Sequence, residues 1–164
     1  MFKFKILLVI VLFTSSLFAN EVLLNQSQVY FLPKQADEAK DKIVDLINNS
    51  KDSIKISMYN FSYKKFAKEL ANASKKGVKI QVVLDEKKVK EDNDIYKYLK
   101  DNNIEVIIAD KKLHTKIALF DNKIALIGSL NWTKESFEEN YEMLLLSNDK
   151  KIISEMENFL SSFK

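Results

Sequence analysis

Apolar residues recur along this chain in two alternating rhythms. One has period two or forms short unbroken runs, and the other has the 3.6-residue spacing of a helix. Val29-Tyr30-Phe31-Leu32 is a short apolar run stopped by Pro33, and it predicts a strand. Ile43, Val44, Leu46 and Ile47 among charges predict an amphipathic helix over Gln35–Asn49. Ser53–Tyr59 alternates strictly and predicts a strand. Phe66, Ala67, Leu70, Ala71 and Ala73 predict a helix over Tyr63–Lys76, closed by Gly77. Val78–Leu84 reads as a strand, Asp94–Asp101 as a short helix and Ile104–Ala109 as a strand. Thr115–Phe120 and Lys123–Ile127 are separated only by Asp121-Asn122, which predicts a tight antiparallel hairpin. Tyr141–Leu146 is a further strand, and Asp149–Phe163 a closing helix.

This alternation, with short links and no repeat, predicts one α/β domain. Its expected core is a mixed, mostly parallel central sheet with helices on both faces and a C-terminal helix. The chain has 164 residues, enough for a single core. Only Gly77, Gly128 and Pro33 stand in for the turn residues that an all-β fold would need in number.

The first residues follow another rule. Lys3 and Lys5 precede the apolar run Ile6–Phe13, and Leu17-Phe18-Ala19 offers a small residue for cleavage. Residues 1–19 are expected to be an export signal or, uncleaved, an N-terminal anchor able to associate with a membrane. Residues 20–27 are expected to be a tether, and residues 28–164 the catalytic domain. An exported chain without cysteine suits a bacterial periplasm. The absence of cysteine also excludes disulfides and thiolate metal sites. Net charge is +3, and residues 1–19 carry two lysines and no acid, which leaves +1 on the rest. A polyanionic substrate would therefore need a local basic patch.

The chain's one histidine changes the picture. His114 and Lys116 lie at i and i+2 at the mouth of an apolar strand, so both point to one face. Counting outward through the hairpin brings Ser129 and Asn131 to the same end. An imidazole, an ammonium, a hydroxyl and an amide then converge. Gly128 lacks a side chain where a ligand would approach. That set suits a phosphodiester: Lys116, Ser129 and Asn131 donate to non-bridging oxygens, and neutral His114 attacks phosphorus. Glu142, at the start of a strand, is the candidate carboxylate to orient the other ring nitrogen of His114. Asp121, at the hairpin tip, is expected to be structural, fixing the turn or pairing with a lysine.

His114-x-Lys116-x4-Asp121-x6-Gly128-Ser129-x-Asn131 resembles the signature of the phospholipase D superfamily at every position. The stretch from Ser53 to Glu86 resembles the strand–helix–strand that precedes the signature in small bacterial members. Asn140 and Glu142 resemble the family's Asn-x-Glu strand. The resemblance implies a phospholipase D-like sandwich and a covalent phosphohistidine route needing no metal or other cofactor. It also implies a second histidine that protonates the leaving oxygen. With one histidine per chain, it implies a homodimer whose active site is shared across a two-fold axis.

The members most similar in layout are exported, nonspecific endonucleases, which makes nucleic acid the first expected substrate. Lys111, Lys112 and Lys134 would hold the backbone or form only a solvated face, and Trp132 would either stack on a base or belong to the core. Tyr59, Phe61 and Tyr63 also lie near the expected rim. A phospholipase acting on lipid head groups is the alternative. A non-catalytic nucleic-acid-binding domain is the third reading, and it would require a broken signature.

Overall fold

A computed structural model describes residues 27–164. The expected signal over residues 1–19 and nearly all of the expected tether lie outside the described residues. Ser27, the expected end of the tether, already belongs to the first strand.

Seven strands of the described residues form one sheet: β1 (Ser27–Leu32), β2 (Ser53–Met58), β3 (Lys79–Asp85), β4 (Glu105–Ala109), β5 (Lys116–Phe120), β6 (Ile124–Gly128) and β7 (Glu142–Ser147). Their order across the sheet is β1-β7-β6-β5-β2-β3-β4. Among the described residues, six helices accompany them: α1 (Ala36–Asn49), α2 (Lys64–Lys75), α3 (Glu86–Glu91), α4 (Asp94–Asp101), α5 (Lys134–Glu138) and α6 (Lys150–Leu160). The α/β class, the mixed sheet and the C-terminal helix are as expected. The mostly parallel sheet is not. Only β2–β3 and β3–β4 pair in parallel, and the other four pairings are antiparallel. Strand–helix alternation reveals that a chain crosses over, but not beside which strand it lands. Here β1 crosses through α1 to the far edge and pairs with β7. The β5–β6 hairpin fills the centre.

Alternation along β5 explains the two layers. Ala118 and Phe120 face the main core, which α1, α2 and α4 cover with Ile43, Ile47, Phe66, Leu70, Ile95 and Leu99. Leu119 and Ile117 face the other way, onto Met156, Leu160, Ile152 and Ile153 of α6. A third apolar group, Val83, Ala109 and Leu113, packs with Ile107 and Phe163. The helices α3 and α5 escape the apolar pattern because each is one short, polar turn. Each is set by its cap instead. Asp85 Oδ1 accepts from Lys88 N, and Thr133 Oγ1 accepts from Ser136 N.

Register fixes where the ends lie. β1, β2, β3, β4 and β6 run one way, and β5 and β7 run the other. The carboxyl ends of β2, β3 and β6 and the amino ends of β5 and β7 therefore meet at one rim. In open α/β sheets that rim is where ligands bind.

Candidate active site

Each element that reaches this rim delivers a polar or aromatic group. Tyr59 follows β2, Asp85 closes β3, His114 precedes β5, Ser129 follows β6 and Glu142 opens β7. The Tyr59 ring is the hub. The His114 imidazole packs against it at 4.5 Å between centroids, with planes 55° apart. Lys116 Nζ lies 5.0 Å from its centroid and Lys88 Nζ 5.5 Å. His114 is exposed, whereas Lys116 is buried, only 7% exposed. Lys116 Nζ donates to the His114 carbonyl oxygen at 3.1 Å. Burial pushes the Lys116 ammonium below the usual lysine range; the Glu142 carboxylate pulls the other way, and the nearby Lys112 charge adds to the lowering. The imidazole and the ammonium thus meet at one spot, as the i, i+2 spacing predicts.

Ser129 and Glu142 form a second group. Ser129 Oγ donates to Glu142 Oε2 and accepts from Met143 N at 3.1 Å. This corrects the expected role of Glu142. Among the described residues Glu142 makes no hydrogen bond to His114, because the β6–β7 register sets it beside Ser129. It reaches the rest of the site through its field on Lys116. Gly128 also has a different reason from the one expected. A Cβ there would lie 2.1 Å from the Met143 carbonyl oxygen, so the glycine admits the neighbouring strand rather than a ligand.

Asn131 sits on the stretch leaving β6, which is pinned beside the segment after Tyr59. Trp132 N donates to Asn60 O at 3.0 Å, and Ser62 N and Tyr63 N donate to Trp132 O. The Asn131 Oδ1 is buried without a partner among the described residues, an acceptor that they leave open at this position. Trp132 itself is not a base platform. It is fully buried, edge-on to Phe61 at 5.1 Å and to Phe66 at 5.0 Å, and belongs to the core. Phe61 is buried with it, and Tyr63 packs on Phe66 and Phe137.

Lys111 and Lys112 are exposed and line a cavity of about 360 Å³ with Tyr59, Asp85, Glu86, Lys87, Ala109 and Asp110. Lys134 is not among its lining residues. It opens α5, and its Nζ lies 3.7 Å from Glu138. Asp121 sits at the opposite end of the hairpin, as expected. Its carboxylate accepts from the backbone N–H groups of Lys51, Asp52 and Ser53 at 2.8–3.1 Å, tying the hairpin tip to the entrance of β2. Burial alone would raise its pKa. Those three backbone donors, aided by Lys123, outweigh it and hold the carboxyl below the usual range. Asp121 and Asn122 carry the positive φ values, 51° and 50°, of a type I′ hairpin turn.

Asp85 is the group that the sequence reading missed. Only 3% exposed, it accepts from Lys88 N at 3.1 Å and from Leu113 N at 2.9 Å. Its one visible signal is an acid closing the apolar run Val82-Val83-Leu84. Among the described residues no three His, Cys, Asp or Glu side chains gather as a metal site.

The family model for the domain described as "Cardiolipin synthase, PLD-like domain" matches residues 43–163. The chain belongs to the phospholipase D superfamily. A curated phospholipase D of Rickettsia prowazekii is 30% identical over 122 residues, 73% of this chain and 60% of that protein. A mitochondrial cardiolipin hydrolase of Xenopus tropicalis is 24% identical over 119 residues, 71% of this chain and 57% of that protein. The chain thus spans about 60% of the length of these curated relatives. Among solved structures, NucT from Helicobacter pylori superposes with a TM-score of 0.78 at 25% identity, covering 84% of this chain and 94% of that one. Nuc from Salmonella typhimurium, a phospholipase D family member, gives 0.76 at 24% identity, covering 84% and 93%. Both share the phospholipase D-like fold of the seven-stranded sheet and its helices.

Proposed function

We propose that the chain is an exported endonuclease that cleaves phosphodiesters of nucleic acid through a phosphohistidine. The observation that carries this reading is the juxtaposition of an exposed imidazole and a buried ammonium around Tyr59, beside the Ser129–Glu142 pair. A His114 ring nitrogen forms a bond to phosphorus while the P–O bond to the leaving group breaks. The leaving oxygen takes its proton from a second imidazole. That imidazole then removes a proton from water, which attacks phosphorus and breaks the P–N bond. Lys116 and Ser129, with the amide of Asn131, stabilise charge on the non-bridging oxygens. No step calls for a metal.

One imidazole cannot be nucleophile and opposing acid in the same step, so the reading requires a second copy of the chain. A surface suited to it adjoins the site. Val29, Phe31, Tyr141 and Met143 are exposed apolar residues, with Phe31 opposite Met143 across β1–β7 and Tyr141 and Met143 on either side of Glu142. Phe31 is 63% exposed and Tyr141 96%, unusual for such side chains on a lone soluble domain.

The single signature and the layout are those that the sequence shares with small endonucleases of the superfamily. The match to NucT covers 94% of that chain, against 60% of the phospholipase D, and this supports the nuclease reading. Lipid cleavage is the second reading, favoured by the names of the curated relatives.

Purified protein in EDTA, given single-stranded DNA, double-stranded DNA, or cardiolipin and phosphatidylcholine vesicles, separates the two. DNA fragments are expected. Intact DNA with released head group would replace this reading by the lipid one. Full activity in a species that sediments as a monomer would refute the shared site.

A further inference from the structure

His114 has no hydrogen-bonded side chain holding its ring among the described residues, yet both neighbours in sequence are held from outside the loop. On the N-terminal side, Leu113 N donates to Asp85 Oδ2 at 2.9 Å, and the Leu113 side chain is buried in the cluster with Val83 and Ala109. On the C-terminal side, the Thr115 hydroxyl bonds that of the fully buried Ser57, and the Thr115 carbonyl accepts from Tyr59 N at 2.9 Å. The His114 carbonyl accepts from Lys116 Nζ. Asp85 is the unusual member of this set. A carboxylate that is 3% exposed and makes no ion pair among the described residues is costly to bury, and a cap for a six-residue helix does not require one. Its two oxygens serve two separate segments. One takes the first turn of α3, which carries Lys88 onto the Tyr59 ring, and the other takes the residue before His114.

We propose that Asp85 is a positioning residue for the reaction: by gripping Leu113 N and α3 together, it sets the reach and tilt of the His114 imidazole against Tyr59. This rests on reading His114 as the nucleophile. Asp85 itself touches no reacting atom. An error of about 1 Å at a nucleophile costs on the order of 100-fold in rate, so fixing the backbone on both sides of His114 substitutes for a missing ring partner.

The test is Asp85→Asn. Its amide can accept from only one of the two N–H donors and turns an NH₂ toward the other. The comparison variant is Asp121→Asn, which makes the same exchange in a carboxylate that also holds backbone N–H groups, at the opposite end of the hairpin. Both are assayed at temperatures equally far below their own Tm, with bis(p-nitrophenyl) phosphate and a single-stranded oligonucleotide. Asp85→Asn is expected to lower kcat about 10- to 100-fold with KM changed less than about threefold. Asp121→Asn is expected to keep kcat within about twofold of the parent.

Because the chain has one histidine, its imidazole NMR signals need no assignment. They are expected to shift or broaden in Asp85→Asn and not in Asp121→Asn. If Asp85→Asn fails to fold, Thr115→Val cuts the other side of the grip and carries the same expectation. The proposal is overturned by any of three results: kcat within twofold of the parent, a rise in KM alone, or superimposable imidazole spectra. Failure of His114→Ala to abolish turnover would sink the functional reading instead, so the two failures are told apart.

Discussion

The two glycines of this chain are needed for different reasons, and Gly128→Ala makes the difference measurable. A Cβ at Gly128 would lie 2.1 Å from the Met143 carbonyl oxygen, where real contacts stay beyond 3.0 Å. The obstacle is backbone, so no side chain can rotate away; β7 must withdraw from β6. The bonds at risk are Ser129 N to Met143 O and Met143 N to Ser129 Oγ, both 3.1 Å. Losing two such bonds costs about 1 kcal/mol each. Overpacking against a strand that can only partly yield adds about 1–3 kcal/mol. The sum, about 3–5 kcal/mol, lowers Tm by roughly 6–20 °C in a chain this long. Gly77→Ala is the reference. Nothing lies within 4 Å of a Cβ there, but φ is +95°, so only backbone strain of about 1–2 kcal/mol is expected. Thermal melts followed by circular dichroism read both. Gly128→Ala should also lose turnover, because Ser129 and Glu142 ride on the displaced strands. A melting point within about 3 °C of the parent, or below it by no more than Gly77→Ala, would refute the close-approach argument.

Three other expectations follow from the geometry. Asp121→Asn should destabilise by about 2 kcal/mol at neutral pH in urea melts, since it weakens charge-assisted bonds from three backbone donors. The folded-state pKa of Asp121 is depressed, so its contribution is present above the unfolded value and fades as pH falls through the folded one; the gap between parent and variant must close in acid, and a constant gap contradicts the assignment. Lys116 must be charged to stabilise an oxyanion and its pKa is lowered, so the alkaline limb of kcat/KM should fall below the ordinary lysine value of about 10.4; a profile level up to that value counts against it. Trp132→Ala should cost about 3–5 kcal/mol, as for a buried core aromatic, and a small loss of stability with weaker DNA binding would restore the platform role.

What the sequence made legible was whatever repeats locally. The hairpin about Asp121-Asn122 could be counted residue by residue, and it correctly sent His114 and Lys116 to one end and Asp121 to the other. The alternation of β5 also announced both layers. Strand neighbours are set by pairings across tens of residues, so the predominance of antiparallel ladders was not visible. Trp132 followed a signature residue and looked like part of the site, whereas its burial depends on Phe61 and Phe66, which arrive from another segment. Glu142 was placed correctly at the rim, but its partner was decided by the β6–β7 register. Asp85 left almost no trace, because one acid at the end of an apolar strand usually marks a turn.

The strand β5 is held like a beam fixed at both supports. One carboxylate, Asp121, locks its far end to the start of β2, and another, Asp85, locks the approach to its near end to the close of β3. Between them the strand has a neighbour on each side. Such a segment has no cheap way to open by itself. Its amides should exchange with solvent only when the whole domain comes apart. Heat or denaturant should then leave each chain's share of the site in place until the fold itself is lost, so that any earlier loss of turnover reports separation of the two copies.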